Sequence, residues 1–263
     1  MLGKLPENPK EYRAHISNCL IAGEAPSDVG EKRVWNVLKL SLDGFEIRLV
    51  QMPELITEPR DHLNGQSLHT TDLIISELKP DKFGRAEQLS REIAILLSFA
   101  TVSEAWNFGY SYPAVNPAQE IHAFSGQIHI IKPVINTRSG QAIRHFLEQT
   151  HSAFRTLRQK RQLDIAFDYF VLSQLDKPIE LRLIITFVLL ENLKSTHATA
   201  NNIPFKDGRF RKPNGKPFSF EGLLKAMFKS AGMSPELSKV KDLRNEIINS
   251  GITVRPIAKE NWQ

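Results

Sequence analysis

Near its end the chain reads Val240-Lys-Asp-Leu-Arg-Asn-Glu-Ile-Ile-Asn-Ser-Gly251, and here the residues suited to gripping a phosphate lie closest together. Leu237, Val240, Leu243 and Ile247 recur at helical spacing as an apolar stripe, so Arg244, Asn245 and Asn249 fall at its edge or on the far side. Asn245 and Asn249 are four apart and share a face, with Arg244 turned about 100° from Asn245. A guanidinium beside two amides at a helix C-terminus can donate to a phosphate or a backbone carbonyl. It supplies no acid or base, because an amide does not titrate near neutral pH. The plain alternative for Arg244 is a helix-end ion pair with Asp242 or Glu246.

A second cluster lies between two helical stretches, from Phe205 to Phe218. Lys206, Arg209, Arg211, Lys212 and Lys216 face a single acid there, Asp207. Asn214-Gly215 is a tight-turn signal, so the segment reads as an exposed basic hairpin. It is either a solvated loop or an RNA-binding arm whose phenylalanines, Phe205, Phe210 and Phe218, pack or stack on bases.

Templates for other chemistries are missing. There is no Gly-rich phosphate loop, no G-x-S-x-G elbow and no H-E-x-x-H pair. The eight histidines are scattered. His122 and His129 fall in one candidate strand at an odd separation, so they face opposite sides and no metal site is read from them. His145, His151 and His197 lie in helical stretches, where a lone His is more often a surface or core residue than a catalyst. No cofactor is expected. Cys19 is the single cysteine, which excludes an internal disulfide and fits a reducing compartment.

The elements that must position these residues divide into two patterns. The first is β-rich: Tyr12 to Ala22, Arg33 to Leu42, Phe45 to Met52, Leu73 to Leu78 and Gln119 to Ile131 read as strands. Asp43-Gly44 marks a hairpin. In the last of these runs His122, Phe124, Ile128 and Ile130 fall on one face. One helix interrupts them, Arg85 to Phe99, with Leu89, Ile93, Leu96 and Leu97 on its stripe. Beyond Lys132-Pro133 the pattern turns helical, with about five helices: Gly140 to Lys160, Leu163 to Leu175, Pro178 to about Thr199, Ser219 to Ala231, and a last one that Ser234-Pro235-Glu236 starts and Gly251 stops. The expected fold is α+β, with a β-rich domain over 1–136 and an all-α domain over 137–263.

The chain has 263 residues, 41% hydrophobic and 24% charged, which excludes a disordered or collagen-like chain. Its net charge of +5 is compatible with a polyanionic partner without requiring one. The longest apolar run, Leu181 to Leu193, is short of a membrane span and reads as a buried helix. The opening residues carry no apolar run of signal-peptide length, so a cytoplasmic protein without a membrane partner is expected.

The second half resembles the HEPN superfamily of bacterial helical domains, whose last helix often reads L-R-N-x-I-x-H-G. The resemblance covers roughly residues 140–252. It rests on the helix order, on Leu190-Glu191-Asn192-Leu193 closing the apolar helix, on the variable loop before the fourth helix, and on Arg244-Asn245…Asn249-Ser250-Gly251. A β-rich front half before the helices is similar to that of ApeA-like defence proteins. The resemblance implies metal-independent RNA cleavage by a homodimer, as in a defence or toxin system, with an unspecified ligand or protein trigger for the first domain. It puts Arg244 at the phosphate, Asn245 at the adjacent polar position and Glu191 as an accessory residue. Asn249 stands where the family has its catalytic His, so binding survives where turnover does not. Three readings stay open: a natural non-cleaving member, an inactivated form of a toxic nuclease, or proton transfer by another group, for which His197 is the candidate. A different class also stays open, a sensor or binding protein whose helical half only dimerises.

Overall fold

The computed structural model describes residues 11–112 and 119–250, with the side chains of 119 and 248–250 outside that description. The chain is α+β, an antiparallel sheet followed by helices. The strands of the first half are β1 (Glu11–Ser17), β2 (Ala25–Val29), β3 (Lys32–Leu42), β4 (Phe45–Gln51), β5 (His69–Ser76), β6 (Trp106–Ser111) and β7 (Gln119–Ile121). Between them lie a single turn, α1 (Arg60–Leu63), and the long α2 (Phe83–Thr101). Then come α3 (Gly140–Arg161), α4 (Leu163–Gln174), α5 (Ile179–Ala200), a two-stranded ribbon β8 (Phe205–Lys206) and β9 (Arg209–Phe210), α6 (Phe220–Ser230) and α7 (Ser238–Ser250). No helix among the described residues is long and apolar enough to cross a membrane. The chain forms two compact units, Met1–Thr156 and Leu157–Gln263. They divide inside α3, whereas the change of pattern in the sequence comes near 136.

In the first unit the strands run in the order β2-β3-β4-β5-β1-β6-β7. The hairpin at Asp43-Gly44 has φ of +54° and +77°, the left-handed pair that a two-residue turn between twisted strands requires. It sets the register that places Leu38 opposite Leu49, Leu40 opposite Ile47 and Leu42 opposite Phe45, all buried. In β1 Tyr12, Ala14 and Ile16 are buried toward α2, where the Tyr12 hydroxyl meets Ser90 Oγ at 3.2 Å. Glu11, Arg13 and His15 alternate onto the opposite face. Ala86, Leu89, Ile93, Leu96 and Leu97 of α2 close the core.

Several expectations are corrected. The run from Tyr12 stops as a strand at Ser17, and β2 and β6 were not expected. β2 contains Pro26, which reads as a turn but is tolerated because β2 lies at the sheet edge. β6 hides behind Asn107 and Gly109; at Gly109 a Cβ would lie 2.2 Å from the Glu120 carbonyl oxygen, so only glycine lets β7 approach. The stretch from Gln119 to Ile131 is a strand only to Ile121. The His122 amide still bonds the Phe108 carbonyl of β6 at 2.7 Å, but further on the backbone bonds to loops, Ile128 N to Gln66 O at 2.8 Å and Ile130 N to Asn64 Oδ1 at 3.0 Å. His122, Phe124, Ile128 and Ile130 therefore do not form a strand face.

The five expected helices of the second half are α3 to α7. On α3, Ile143, Leu147, His151 and Phe154 are buried, so a histidine occupies the stripe while Leu157 is exposed. The last helix begins at Ser238, not at Ser234-Pro235. Glu236 Oε1 accepts from the Ser238 amide at 2.8 Å, doing for the first turn what Ser234 was expected to do. The stop at Gly251 lies outside the described residues.

Candidate functional site

In the helical unit three helices converge on Arg244. From α7 its Nη2 and Nε donate to Glu191 Oε1 of α5 at 2.9 and 3.2 Å. Its guanidinium lies 4.6 Å from the centre of the Phe220 ring, at the start of α6. Ser219 caps that helix, its Oγ accepting from the Gly222 amide at 3.0 Å, which fixes the backbone that carries Phe220. Lys194, one turn along α5, pairs with the other Glu191 oxygen, and its ammonium lies 5.9 Å from the same ring. One carboxylate shared by two cations leaves a local excess of one positive charge. The plain alternative for Arg244, a helix-end ion pair with Asp242 or Glu246, is not the pair formed; Arg244 reaches Glu191 on another helix instead.

Asn245 is exposed on α7 beside Arg244. Asn249 lies in α7, but its side chain is outside the described residues. His197 is not brought to this cluster by its helix: it sits six residues beyond Glu191 on α5, about 9 Å further and about a third of a turn round. It is buried, with Nδ1 3.3 Å from Asn201 Nδ2. Burial, helped by the nearby Arg161, lowers its pKa and favours the neutral ring.

The basic segment is a ribbon with two turns. Asp207-Gly208 closes β8 to β9 with φ of +51° and +72°, a turn the sequence reading did not single out. At the expected Asn214-Gly215 turn, Lys212 N bonds Lys216 O at 2.8 Å and Arg211 bridges Pro217. Lys206, Arg209, Lys212 and Lys216 are exposed. Arg211 is not a free arm: its guanidinium bonds Asp207 Oδ2 at 3.0 Å and the Lys206 and Gly215 carbonyls at 3.3 and 3.4 Å, which clasps the two turns together. The Phe205 and Phe210 rings meet edge to face at 4.9 Å, and Lys212 lies over Phe218 at 5.6 Å.

The first unit holds two polar clusters that sequence patterning did not find. Glu92 on α2, its side chain 1% exposed, accepts from Arg85 at 3.0 Å and pairs with His151 Nε2 of α3 at 2.8 Å. On the sheet face turned away from α2, His15 Nδ1 and His69 Nε2 both lie 2.8 Å from Asp72 Oδ1. Among the described residues this is the one group of three His, Cys, Asp or Glu side chains arranged to hold a metal ion. His122 and His129, whose odd spacing argues against a shared metal site, pair with Glu120 at 2.7 Å and Glu104 at 3.3 Å.

Comparison with protein-family models, with curated proteins and with solved structures finds no match to this chain.

Proposed function

We propose that the helical unit is a HEPN-type domain that acts on RNA as a homodimer, in the form of a ribonuclease whose last helix has lost its general acid–base group. The observation that carries this reading is the Arg244 cluster. A guanidinium fixed by Glu191 and Phe220, with Lys194 on the same carboxylate, is a preorganised cation for a phosphodiester. Asn249 can hydrogen-bond a 2′-hydroxyl but cannot take its proton, so the chain as it stands binds RNA without turning it over. The exposed Lys206, Arg209, Lys212 and Lys216 add a second phosphate-contacting surface on the same unit. Dimerisation is supported by α5, where Leu181 and Val188, two turns apart on one side, are 43% and 39% exposed. Such a stripe suits the same stripe of a second copy across a two-fold axis.

The deciding experiment pairs RNA binding, by fluorescence anisotropy at low salt, with cleavage by the Asn249→His variant in the presence of a chelator. Binding by the unaltered chain and metal-free cleavage by the variant are expected. Absence of both leaves a second reading standing, a sensor in which the helical unit only dimerises; the Asn in place of His favours that reading.

A further inference from the structure

We infer that His15, His69 and Asp72 form a binding site for one divalent transition-metal ion of the zinc type, on the open face of the N-terminal sheet. The inference is independent of the RNA reading. It starts from a conflict of period. His69 and Asp72 are three apart on β5, so a regular strand sends them to opposite faces. The structure puts them on one face because the β1–β5 register shifts between Ile16 and Ser17: Ile16 faces Thr71 but Ser17 faces His69, leaving Thr70 as the extra residue of a bulge. A second bulge lies directly across β1. There His15 faces Gly109 and Ile16 faces Asn107, so Phe108 is the extra residue. Its ring then lies near both imidazoles, 5.8 Å from His15 and 5.2 Å from His69, with the Phe124 ring 4.5 Å from it. Two interruptions of the ladder, on both neighbours of one strand, converge on the same three side chains.

The donor set fits the ion. Two imidazole nitrogens and a carboxylate oxygen, with a position left for water, suit zinc and its neighbours. All three ligand atoms lie within 4.8 Å of one another. An ion about 2.1 Å from each would set ligand edges of about 3.0 to 3.4 Å, a few tenths wider than the two 2.8 Å contacts present. Without an ion each ring N–H donates to Oδ1. With an ion the proton resides on the other nitrogen of each ring and the lone pairs point inward. The surroundings also fit. Arg13 donates to Asp72 Oδ2 at 3.4 Å, Glu11 holds Arg13 at 2.8 Å, and Arg48 donates to Glu11 at 3.4 Å. That chain fixes the carboxylate while leaving Oδ1 to face the rings, the outer-shell arrangement that metal ligands use. His15 and Asp72 are nearly covered and His69 is 33% exposed, which leaves a route in from solvent.

The full chain, stripped with a chelator, is titrated with Zn²⁺ by calorimetry and with Co²⁺ by visible absorption. One ion per chain is expected, with cobalt d–d bands of low-symmetry nitrogen–oxygen coordination. His69→Gln should weaken zinc binding at least about 100-fold, and Arg13→Met by about 10- to 100-fold. His62→Gln, a change at an exposed histidine elsewhere, should leave it unaltered. No uptake, or equal affinity in His69→Gln, overturns the site. Should His69→Gln fail to fold, as circular dichroism would show, the cobalt spectrum of the unaltered chain decides, and absent bands overturn it.

Discussion

Glu92 sits between Arg85 and His151 with almost none of its side chain in water. Burial opposes its charge, but the hydrogen bonds from His151 and Arg85 outweigh that and lower its pKa from 4.5 to about 2. Because the folded pKa lies below the unfolded one, the stability it contributes is complete above about pH 5 and is lost as pH falls toward 2. The loss should be on the order of 3 kcal/mol, read from denaturant unfolding at stepped pH. Glu92→Gln should lower stability at pH 7 by about 3 kcal/mol and flatten that acid limb; an acid limb as steep as that of the unaltered chain would refute the assignment. Arg244 makes a different test. In an Asn249→His background, Arg244→Ala should cut RNA turnover by about 100-fold or more while leaving most of the affinity, since the role proposed for it is at the charge that develops on the phosphate. Neither Glu191 as its partner nor His69 beside Asp72 was legible as a contact. The first joins residues far apart in the chain, and the second depends on a bulge, which leaves no mark in an alternating pattern. Arg244 and Glu191 were singled out separately; only packing shows that they meet.

Among the elements, the basic ribbon separates charge exposed to solvent from charge that holds the fold. Neutralising Lys206, Arg209 and Lys212 should weaken RNA binding alike for all sequences. It should also flatten the salt dependence by about 0.7 log units per lost contact on a single strand. Folding stability should stay within about 0.5 kcal/mol, because these side chains are exposed. Arg211→Ala should do the reverse first, raising hydrogen exchange at the amides of Lys212 and Phe218 that the clasped turns protect. A salt slope unmoved in the triple variant would return the ribbon to a solvated loop. Helices were the most legible elements, because the spacing of Ile143, Leu147 and Phe154 on α3, or of Leu89, Ile93 and Leu96 on α2, repeats over several turns. Short strands were the least legible. β2 carries a proline and β6 a glycine, and only their places in the sheet, one at an edge and one crowded by a neighbour, explain why those residues do not break them.

For the whole molecule, α5 and the sheet order carry consequences that no single residue shows. The apolar run from Leu181 was expected to be buried, yet Leu181 and Val188 remain substantially exposed in one chain. Sedimentation at micromolar concentration should give a dimer, and Leu181→Glu with Val188→Glu should give a monomer of unaltered helix content. A dimer that survives both changes places the contact elsewhere. The sheet order, in turn, governs when the first unit can form. Among the described strands β1 is made first, but it lies inside the sheet, with Glu11 opposite Ser76 on one side and Arg13 opposite Ser111 on the other. During synthesis β3 and β4 can close on their two-residue turn at once, while Tyr12, Ala14 and Ile16 wait with their apolar side chains unburied. Protease resistance of stalled nascent chains should therefore appear late and abruptly, once Ser111 has left the ribosome. Until then, the first strand is the stretch a chaperone has most reason to hold.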